Sequence, residues 1–389
     1  MWIGPFVTAA ALAAITPSSA RSVIQVYNVE ELYAAVNDAA NDGAMVVLSA
    51  GQYALTRLDP HGAARPNGGR LELRTDMSIF GVTGHPEDVV IDSSDAVNGP
   101  SFALGGNLGN GGTIRIGRGK NTVEWLTVVG GSSSAAGVQT DLVGAPAVLR
   151  VAHVVARGSV RGIDVRNLGP AGATRTILID LDDNEVFENT AMNGQGFRFV
   201  NLSADGASIA ATLYKNRSHD NSQGFLASNL GSSHASITID SHDDRFEDNL
   251  IGGVLFGGLT TTAGMASGNT VTLTMHAGTI AGSHGSSPPQ NLTAGLNAIG
   301  GAFSPPAGTP NSASSNEVRV SIWGTTFDGN AALDVEAWGA KSLTAGLGGT
   351  RNVVTVDLHG VSAQAGWLAH DSVPDEAADT NRATINGTM

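Results

Sequence analysis

The phrase "NEVFEN" at 184–189 returns as "NRSHDN" at 216–221 and as "DRFEDN" at 244–249. Each copy follows a stretch in which apolar and polar residues alternate, as in "ILIDLDD" at 177–183. An alternation with a period of two is typical of a β-strand with one buried face. The recurring phrase therefore predicts the same polar turn after the same strand, repeated along the chain.

The alternating frame recurs at a spacing that is too short for a domain. Its copies begin at residues 177, 209, 237, 271, 318 and 354, which lie 28 to 47 residues apart. A second short strand follows most copies, as in "GFRFVNL" at 196–202 and "ALDVEAW" at 332–338. Repeats of this length that are rich in strand predict an all-β fold, a single right-handed parallel β-helix of about nine to eleven coils.

The repeat also predicts what the columns of the coils contain. Stacked asparagines at the last position of the phrase are expected to share amide hydrogen bonds; they are Asn189, Asn221, Asn249 and Asn330. One inward column is expected to contain Val186, Phe246, Ile280 and Phe327. Further strands are predicted near 44–48, 89–92, 113–116, 122–128 and 147–155, with loops at 56–70 and 283–316.

The two ends of a β-helix need covers, because they expose unpaired sheet edges. A capping helix is predicted at about 28–41, with Asn28 as its N-cap and Glu31 completing a capping box. An irregular segment at about 364–389 is predicted to cover the other end. The β-helix domain is therefore expected to span 21–389.

Composition and charge restrict the partners. The 389 residues include no cysteine and only three lysines, and the formal net charge is −14. No basic face for nucleic acid is visible, and an acidic polymer would need a local basic site or bound cations. Residues 1–20 resemble a secretory signal peptide, so a secreted or cell-envelope protein is expected. No later apolar run is long enough to span a membrane, and a monomer or weak oligomer is expected.

Two early segments carry a resemblance to a known group of proteins. They are "VEELYAAVNDAANDGAMVVLSAGQYAL" (29–55) and "LRTDMSIFGVTGHPEDVVIDSS" (73–94). The first resembles the "G-D-x-I-x-L-x-x-G-x-Y" entry coil of the pectate-lyase-like superfamily, although Ala44 stands where that pattern has Asp. The matching positions are Gly43, Val46, Leu48, Gly51 and Tyr53.

The resemblance implies a right-handed β-helix rather than one reaction. The superfamily contains polysaccharide lyases, glycoside hydrolases, uronate epimerases, phage tailspikes and proteins without known catalysis. "DPHG" at 59–62 shares three residues with the D-P-H-D motif of mannuronan epimerases. The pectate and alginate lyases of this superfamily use acidic calcium ligands and an Arg or Lys base on neighbouring coils. This resemblance makes Ca²⁺ a candidate cofactor here.

The outward positions of three consecutive coils bring charged and aromatic residues into one patch. The catalytic candidates are Lys215, Arg217, His242, Tyr214 and Arg245. Sugar-stacking candidates in the same outward row are His276, Trp323 and His359, and calcium-ligand candidates are Asp182, Asp183 and Asp243. Lys215 lies beside other cations, so a lowered pKa is expected for it.

These residue types suit β-elimination on a uronate-containing polysaccharide, which needs a neutralised carboxylate and a base. Hydrolysis and epimerisation are the less favoured reactions. The alternative is a non-catalytic extracellular protein, such as an adhesin or a glycan-binding scaffold, in which opposite charges on adjacent coils neutralise one another. A lyase should show a cleft at this patch, whereas a scaffold should show a flat face with every carboxylate paired.

Overall fold

The computed structural model describes residues 21–94, 111–131, 135–140, 146–168, 175–189, 194–260, 265–285, 292–303, 312–342, 349–372 and 380–387. The predicted signal peptide at 1–20 lies outside the described residues. Among the described residues, no helix has the length and apolar character needed to cross a membrane.

The described chain consists almost entirely of short strands. In order, the elements are β1 (Val23–Val26), α1 (Val29–Asn37), β2 (Met45–Leu48), β3 (Gly51–Ala54), β4 (Leu71–Glu72), β5 (Ser78–Gly81), β6 (Val89–Asp92), β7 (Gly112–Ile116), β8 (Gly119–Val129), β9 (Ala136–Thr140), β10 (Ala147–Arg157), β11 (Arg161–Leu168), β12 (Thr176–Asp182), β13 (Glu185–Phe187), β14 (Gln195–Leu202), β15 (Ser208–Tyr214), β16 (Arg217–His219), β17 (Gln223–Leu230), β18 (Ser236–His242), β19 (Arg245–Glu247), β20 (Ile251–Thr260), β21 (Met265–Ser267), β22 (Thr270–His276), β23 (Thr279–Ala281), β24 (Leu296–Phe303), β25 (Ser312–Ser314), β26 (Glu317–Trp323), β27 (Thr326–Asp328), β28 (Val335–Ser342), β29 (Val353–His359), β30 (Trp367–Ser372) and β31 (Arg382–Asn386). Short 3₁₀ turns lie at Ala39–Asn41, Pro66–Gly69 and Pro86–Asp88.

Apart from β21 and β25, which pair only with each other, the strands stack into three parallel faces. Face one runs from β1 through β2, β5, β8, β10, β12, β15, β18, β22, β26 and β29 to β31. Face two runs from β3 through β6, β8, β10, β13, β16, β19 and β23 to β27, and the long strands β8 and β10 belong to both faces. Face three joins β4, β7, β9, β11, β14, β17, β20, β24, β28 and β30. Each coil thus contributes one strand to each face, which is the architecture of a parallel β-helix.

The recurring phrase begins at the corner between faces one and two. It continues into the face-two strand that follows this corner. The residue before each phrase has left-handed φ, 51° at Asp183, 56° at Lys215 and 57° at Asp243. The next residues form a hydrogen-bonded ladder, in which Asn184 Nδ2 donates to Asn216 Oδ1 at 2.8 Å and Asn216 Nδ2 donates to Asp244 Oδ1 at 2.9 Å. The same side-chain oxygens accept buried backbone N–H groups, that of Asn184 at 3.1 Å and that of Asn216 at 2.6 Å, so the corner requires an amide or carboxyl side chain at this position.

The ladder predicted at the last position of the phrase is confirmed for Asn189, Asn221 and Asn249. Asn189 Nδ2 donates to Asn221 Oδ1 at 2.9 Å, and Asn221 Nδ2 donates to Asn249 Oδ1 at 3.1 Å. Asn330 instead accepts from the backbone N–H of Ser283 at 3.2 Å, because a serine occupies this column in the preceding coil.

The predicted inward column is confirmed by the strand register. Val186 pairs with Ser218, Ser218 with Phe246, Phe246 with Ile280, and Ile280 with Phe327. All five side chains are buried. This column, apolar except for Ser218, is part of the main core that runs along the solenoid axis.

The N-terminal cover is the predicted helix, although α1 ends at Asn37 and a 3₁₀ turn follows. Asn28 Oδ1 accepts from the backbone N–H of Glu31 at 3.0 Å. The Glu31 carboxylate accepts from the backbone N–H of Tyr27 at 2.8 Å, one residue earlier than in a standard capping box. Both partners satisfy N–H groups at the helix start.

Asn28→Ala is expected to lower the free energy of unfolding by about 1 kcal/mol, because the Glu31 N–H loses its acceptor. Urea denaturation compares this variant with Asn28→Ser, which keeps a capping oxygen and should retain most of the stability. Equal losses in the two variants would show that the cap is not the cause.

Two predictions of irregular structure were wrong. The segment 364–389 contains β30 and β31, which extend faces three and one by parallel pairing with β28 and β29. The loop predicted at 283–316 contains β24 and β25. The strand "LNAIGGAF" shows no alternation because apolar residues lie on both of its surfaces: Leu296 belongs to the main core, and Ile299 to a second apolar cluster.

Candidate functional site

An open groove of about 420 Å³ lies along the corner between faces one and two. Its lining residues are Pro86, Trp125, His153, Val155, Asp183, Asn184, Glu185, Lys215, Arg217 and Arg245. We call it the corner groove. Of the residues predicted from sequence, it brings together Lys215, Arg217, Arg245 and Asp183, whereas Tyr214, His242, Asp182 and Asp243 are not among its lining residues.

A stacked aromatic pair occupies one end of the corner groove. Trp125 and His153 are corner residues of successive coils with left-handed φ of 59° and 52°. Their ring centroids lie 3.7 Å apart at an interplanar angle of 13°. His153 Nδ1 lies 3.1 Å from Asp183 Oδ2, and Nε2 has no hydrogen-bond partner among the described residues. This carboxylate therefore orients the imidazole and leaves Nε2 available for chemistry.

Sequence reasoning missed Trp125 and His153, although a signal was present. "VLRVAHVVARG" at 148–158 has the same frame as the later copies, and His153 stands where Asp183 stands one coil later. The strand register confirms this, since Ala152 pairs with Asp182. The long strands β8 and β10 carry no polar turn phrase. The coils can therefore be aligned on this phrase only from residue 177 onward.

Three cations line the other end of the corner groove. Arg217 lies 3.1 Å from Glu185 and 3.5 Å from Glu247, so two carboxylates share its charge. Lys215 and Arg245 are exposed and have no carboxylate within 4.0 Å among the described residues. These two cations are therefore available to an anionic ligand.

The expectation of a lowered pKa at Lys215 was wrong. Tyr214 raises the pKa of Lys215, and the carboxylates of Asp243 and Asp183 contribute in the same direction. The ammonium lies 4.7 Å from the centroid of the Tyr214 ring. Lys215 is consequently suited to hold an anion as a cation and poorly suited to act as a base at neutral pH.

Two of the three predicted calcium ligands are paired with other side chains. Arg150, on the preceding coil, lies 2.7 Å from Asp182 and also pairs with Asp180 and Glu124. Asp183 pairs with His153. Asp182, Asp183 and Asp243 do not bring their carboxylate oxygens within 4.8 Å of one another in the described part of the chain. Calcium binding by them stays a prediction that requires these side chains to move together.

The outward row on face one is in the register that the sequence predicted. Tyr214 pairs with His242, His242 with His276, His276 with Trp323, and Trp323 with His359. The rings stack on one another, with centroids 4.9 Å apart for His242 and His276 and 3.8 Å apart for Trp323 and His359. Because the rings cover one another's faces, a sugar ring can reach mainly their outer edges. Sugar stacking on this row stays a prediction.

A buried ionic network on the outer surface of face three was also missed. Asp164 Oδ2 accepts from Gln139 Nε2 at 3.0 Å and lies 3.5 to 3.9 Å from guanidinium nitrogens of Arg198, Arg161 and Arg166. Burial alone would raise the pKa of Asp164, but these three guanidinium groups hold it below its ordinary value. Asp164 is fully buried, so its carboxylate is not open to a polymer.

The comparison with known proteins finds structures but no sequence family. The sequence matches no protein-family model and no curated protein. The A-module of mannuronan C-5 epimerase AlgE6 from Azotobacter vinelandii is 15% identical, with a TM-score of 0.44, and the match covers 90% of this chain and 100% of that one. DFA-IIIase from Arthrobacter chlorophenolicus A6 is 12% identical, with a TM-score of 0.38 and coverage of 89% and 86%.

An alginate lyase from Paenibacillus sp. str. FPU-7 is 9% identical, with a TM-score of 0.29 and coverage of 90% and 97%. At these identities and scores, the assignment of the fold rests on this chain's own strand pairings. Crossover connections between parallel strands are right-handed in about 98% of cases. The chain is a right-handed parallel β-helix protein, the fold that its N-terminal coils resemble.

Proposed function

We propose that this is an exported polysaccharide lyase that cleaves an acidic, uronate-containing glycan in the corner groove. One observation carries the proposal: the His153–Asp183 pair lines the same groove as the unpaired cations Lys215 and Arg245. An oriented imidazole beside anion-binding groups is the combination that β-elimination needs.

In this reaction, His153 Nε2 removes the proton from the ring carbon that bears the carboxylate. The electron pair forms a double bond to the neighbouring carbon, whose bond to the glycosidic oxygen breaks. A proton is then delivered to the leaving oxygen, from water or from the protonated imidazole. The bond changes balance without an oxidant or a reductant. Asp183 keeps the imidazole oriented and stabilises its protonated form.

The cations supply the other half of the chemistry. A carboxylate makes the neighbouring C–H acidic only when its own negative charge is neutralised. Lys215 and Arg245 are charged, exposed and free of carboxylate partners among the described residues, so they can bind this group. Trp125 stacks on the His153 ring and so restricts the orientation of the imidazole. Because the protein has a formal net charge of −14, it repels an acidic polymer overall. Binding of such a polymer would therefore depend on this local basic site.

The first experiment follows absorbance near 235 nm with pectate, alginate and glycosaminoglycans, with calcium and then with EDTA. We expect a rise on one of these polymers, and a loss of about 100-fold in rate for His153→Ala, the typical size of a general-base contribution. His284→Ala is the matched control, because His284 is exposed and is not among the lining residues of the groove. Equal rates in the two variants would overturn the role of His153.

A second candidate function is binding of an acidic glycan without cleavage. The pairing of Asp182 with Arg150 and of Glu185 with Arg217 favours it, since charge pairs on adjacent coils are what a non-catalytic scaffold would show. Calorimetric titration with the same polymers separates the two functions. Binding without any absorbance change would support the scaffold, and no binding to any polymer would contradict both.

In either case Arg245→Ala is expected to weaken binding about tenfold, the value of one exposed charge-assisted contact. Arg319→Ala is the control, because Arg319 is an exposed arginine on face one that pairs with Glu317. Equal affinities for the wild type and Arg245→Ala would place the anionic group elsewhere.

A further inference from the structure

Face one carries a cluster of metal-ligating side chains that is separate from the corner groove. Asp240 and His242 are two residues apart on β18, so both side chains point outward. His276 lies directly opposite His242 on the neighbouring strand β22. One ligand atom from each of the three residues lies within 4.8 Å of the other two. The β-helix register thus brings one carboxylate and two imidazoles together.

In the described part of the chain, no Lys or Arg side chain forms an ion pair with this cluster. Asp240 Oδ1 lies 3.0 Å from His242 Nε2, and no Lys or Arg nitrogen is within 4.0 Å of Asp240 among the described residues. His242 and His276 stack at 4.9 Å with an interplanar angle of 11°. Aligned rings on adjacent strands can turn their nitrogens toward one point outside the sheet. The charged patch around Asp182, in contrast, is already neutralised by Arg150.

We propose that Asp240, His242 and His276 bind a divalent transition metal ion of the zinc type. Two imidazoles and one carboxylate suit Zn²⁺ and its first-row neighbours, whereas Ca²⁺ requires oxygen ligands almost exclusively. Zn²⁺ holds such ligands at about 2.0–2.2 Å, which puts the ligand atoms roughly 3.4 Å apart around a tetrahedral ion. The Asp240–His242 distance of 3.0 Å is close to this spacing, and binding requires the His276 ring to rotate out of its stack with His242 so that its nitrogen points at the same ion.

Three protein ligands leave one tetrahedral position unfilled. Asp240 also lines an open concavity of about 360 Å³ on face one, together with Asp180, Thr212 and Thr238. A water molecule or an oxygen of a ligand in this concavity can therefore complete the coordination. The site belongs to face one and does not depend on the function proposed for the corner groove.

The test is titration of the full chain with Zn²⁺ alone, by calorimetry, and with Co²⁺ alone, by visible absorption. We expect one equivalent of Zn²⁺ to bind with micromolar affinity, and Co²⁺ to give the intense visible bands of a tetrahedral site. His276→Ala and Asp240→Asn should each weaken Zn²⁺ binding tenfold or more. All three side chains are at least partly exposed on a regular strand, so the variants should fold, which circular dichroism checks.

His284→Ala and Asp328→Asn are the matched controls, since each removes the same chemical group from an exposed position outside the cluster. Unchanged Zn²⁺ affinity in these controls, with weakened affinity in the two site variants, would support the site. Absence of binding below millimolar Zn²⁺ would overturn it. So would binding that persists equally in His276→Ala, or that falls equally in His284→Ala.

Discussion

Phe246→Ala is expected to lower the free energy of unfolding by about 3–5 kcal/mol, the range found when a buried aromatic side chain is truncated. Phe246 is 2% exposed, and its ring centroid lies 4.6 Å from that of Phe225 and 6.5 Å from that of Phe197. The two strands beside it contribute Ser218 and Ile280 to the same column. The small Ser218 cannot fill the space that the ring leaves.

Urea denaturation, followed by tryptophan fluorescence and circular dichroism, measures this effect. Phe246→Leu, which keeps most of the volume, should lose less stability than Phe246→Ala. Leu178→Ala is the surface control, because Leu178 points outward from face one and is 45% exposed, and its loss should stay within about 0.5 kcal/mol. A loss below about 1 kcal/mol for Phe246→Ala would mean that neighbouring coils collapse into the cavity.

The column that contains Phe246 could be predicted from the sequence because its physical basis is local. Side chains alternate along a strand, and the turn phrase fixes where each strand ends. Once Val186, Phe246 and Phe327 were aligned on the phrase, their stacking followed from the geometry of a β-helix. The asparagine ladder was predictable for the same reason, since Asn189 and Asn221 occupy one corner position in successive coils.

Face three could not be predicted in the same detail because its strands are buried on both surfaces. Asp164 and Arg198 pair across neighbouring strands and point away from the main core, yet both are largely buried. The outer surface of "LNAIGGAF" carries Ile299, which joins a second apolar cluster, so this strand shows no regular alternation. Burial of an outer surface depends on chain segments far away in sequence, and no local pattern reports it.

The candidate site, too, could be predicted in part from local sequence patterns and in part could not. The register that aligns Lys215 with neighbouring coils was predictable, but the partners of each charge were not. Arg150 lies one coil before the first copy of the alternating frame, which begins at residue 177, and it forms an ion pair with Asp182. Tyr214 then raises the pKa of Lys215, contrary to the expectation. Proximity along a column can be predicted from spacing, whereas pairing depends on side-chain conformation and on residues outside the repeat.

The stability of the wild-type protein is expected to carry a pH-dependent contribution from Asp244, which ends the first ladder of the corner. Burial raises the pKa of Asp244 from 3.8 to about 6, even though hydrogen bonds from Ser241 and Asn216 act in the opposite direction. The folded state therefore binds a proton more tightly than the unfolded state. Below pH 4 both states are protonated, and above pH 6 both are ionised.

Between these limits the free energy of unfolding falls as the pH rises, by about 3 kcal/mol for a pKa difference of this size. Asp244→Asn should remove this fall, because an amide is always neutral. Its Oδ1 can still accept from Asn216, as Asp244 Oδ1 does now at 2.9 Å, and the Ser241 hydroxyl, which now donates to Oδ2 at 2.6 Å, can turn to accept from the amide. The variant should therefore be more stable than the wild type at pH 7 and similar to it at pH 4.

The measurement is urea denaturation of both proteins at half-unit steps from pH 4 to pH 8. Only the difference between the two curves is attributed to Asp244, because carboxylates with lowered pKa values, such as Asp164, make stability rise with pH in both proteins. Asp243→Asn makes the same chemical change one residue away, on an exposed side chain, and should leave the wild-type curve unchanged in shape. The contradicting result is a difference in free energy of unfolding between Asp244→Asn and the wild type that does not change with pH. It would show that Asp244 ionises in the folded protein as easily as in the unfolded chain.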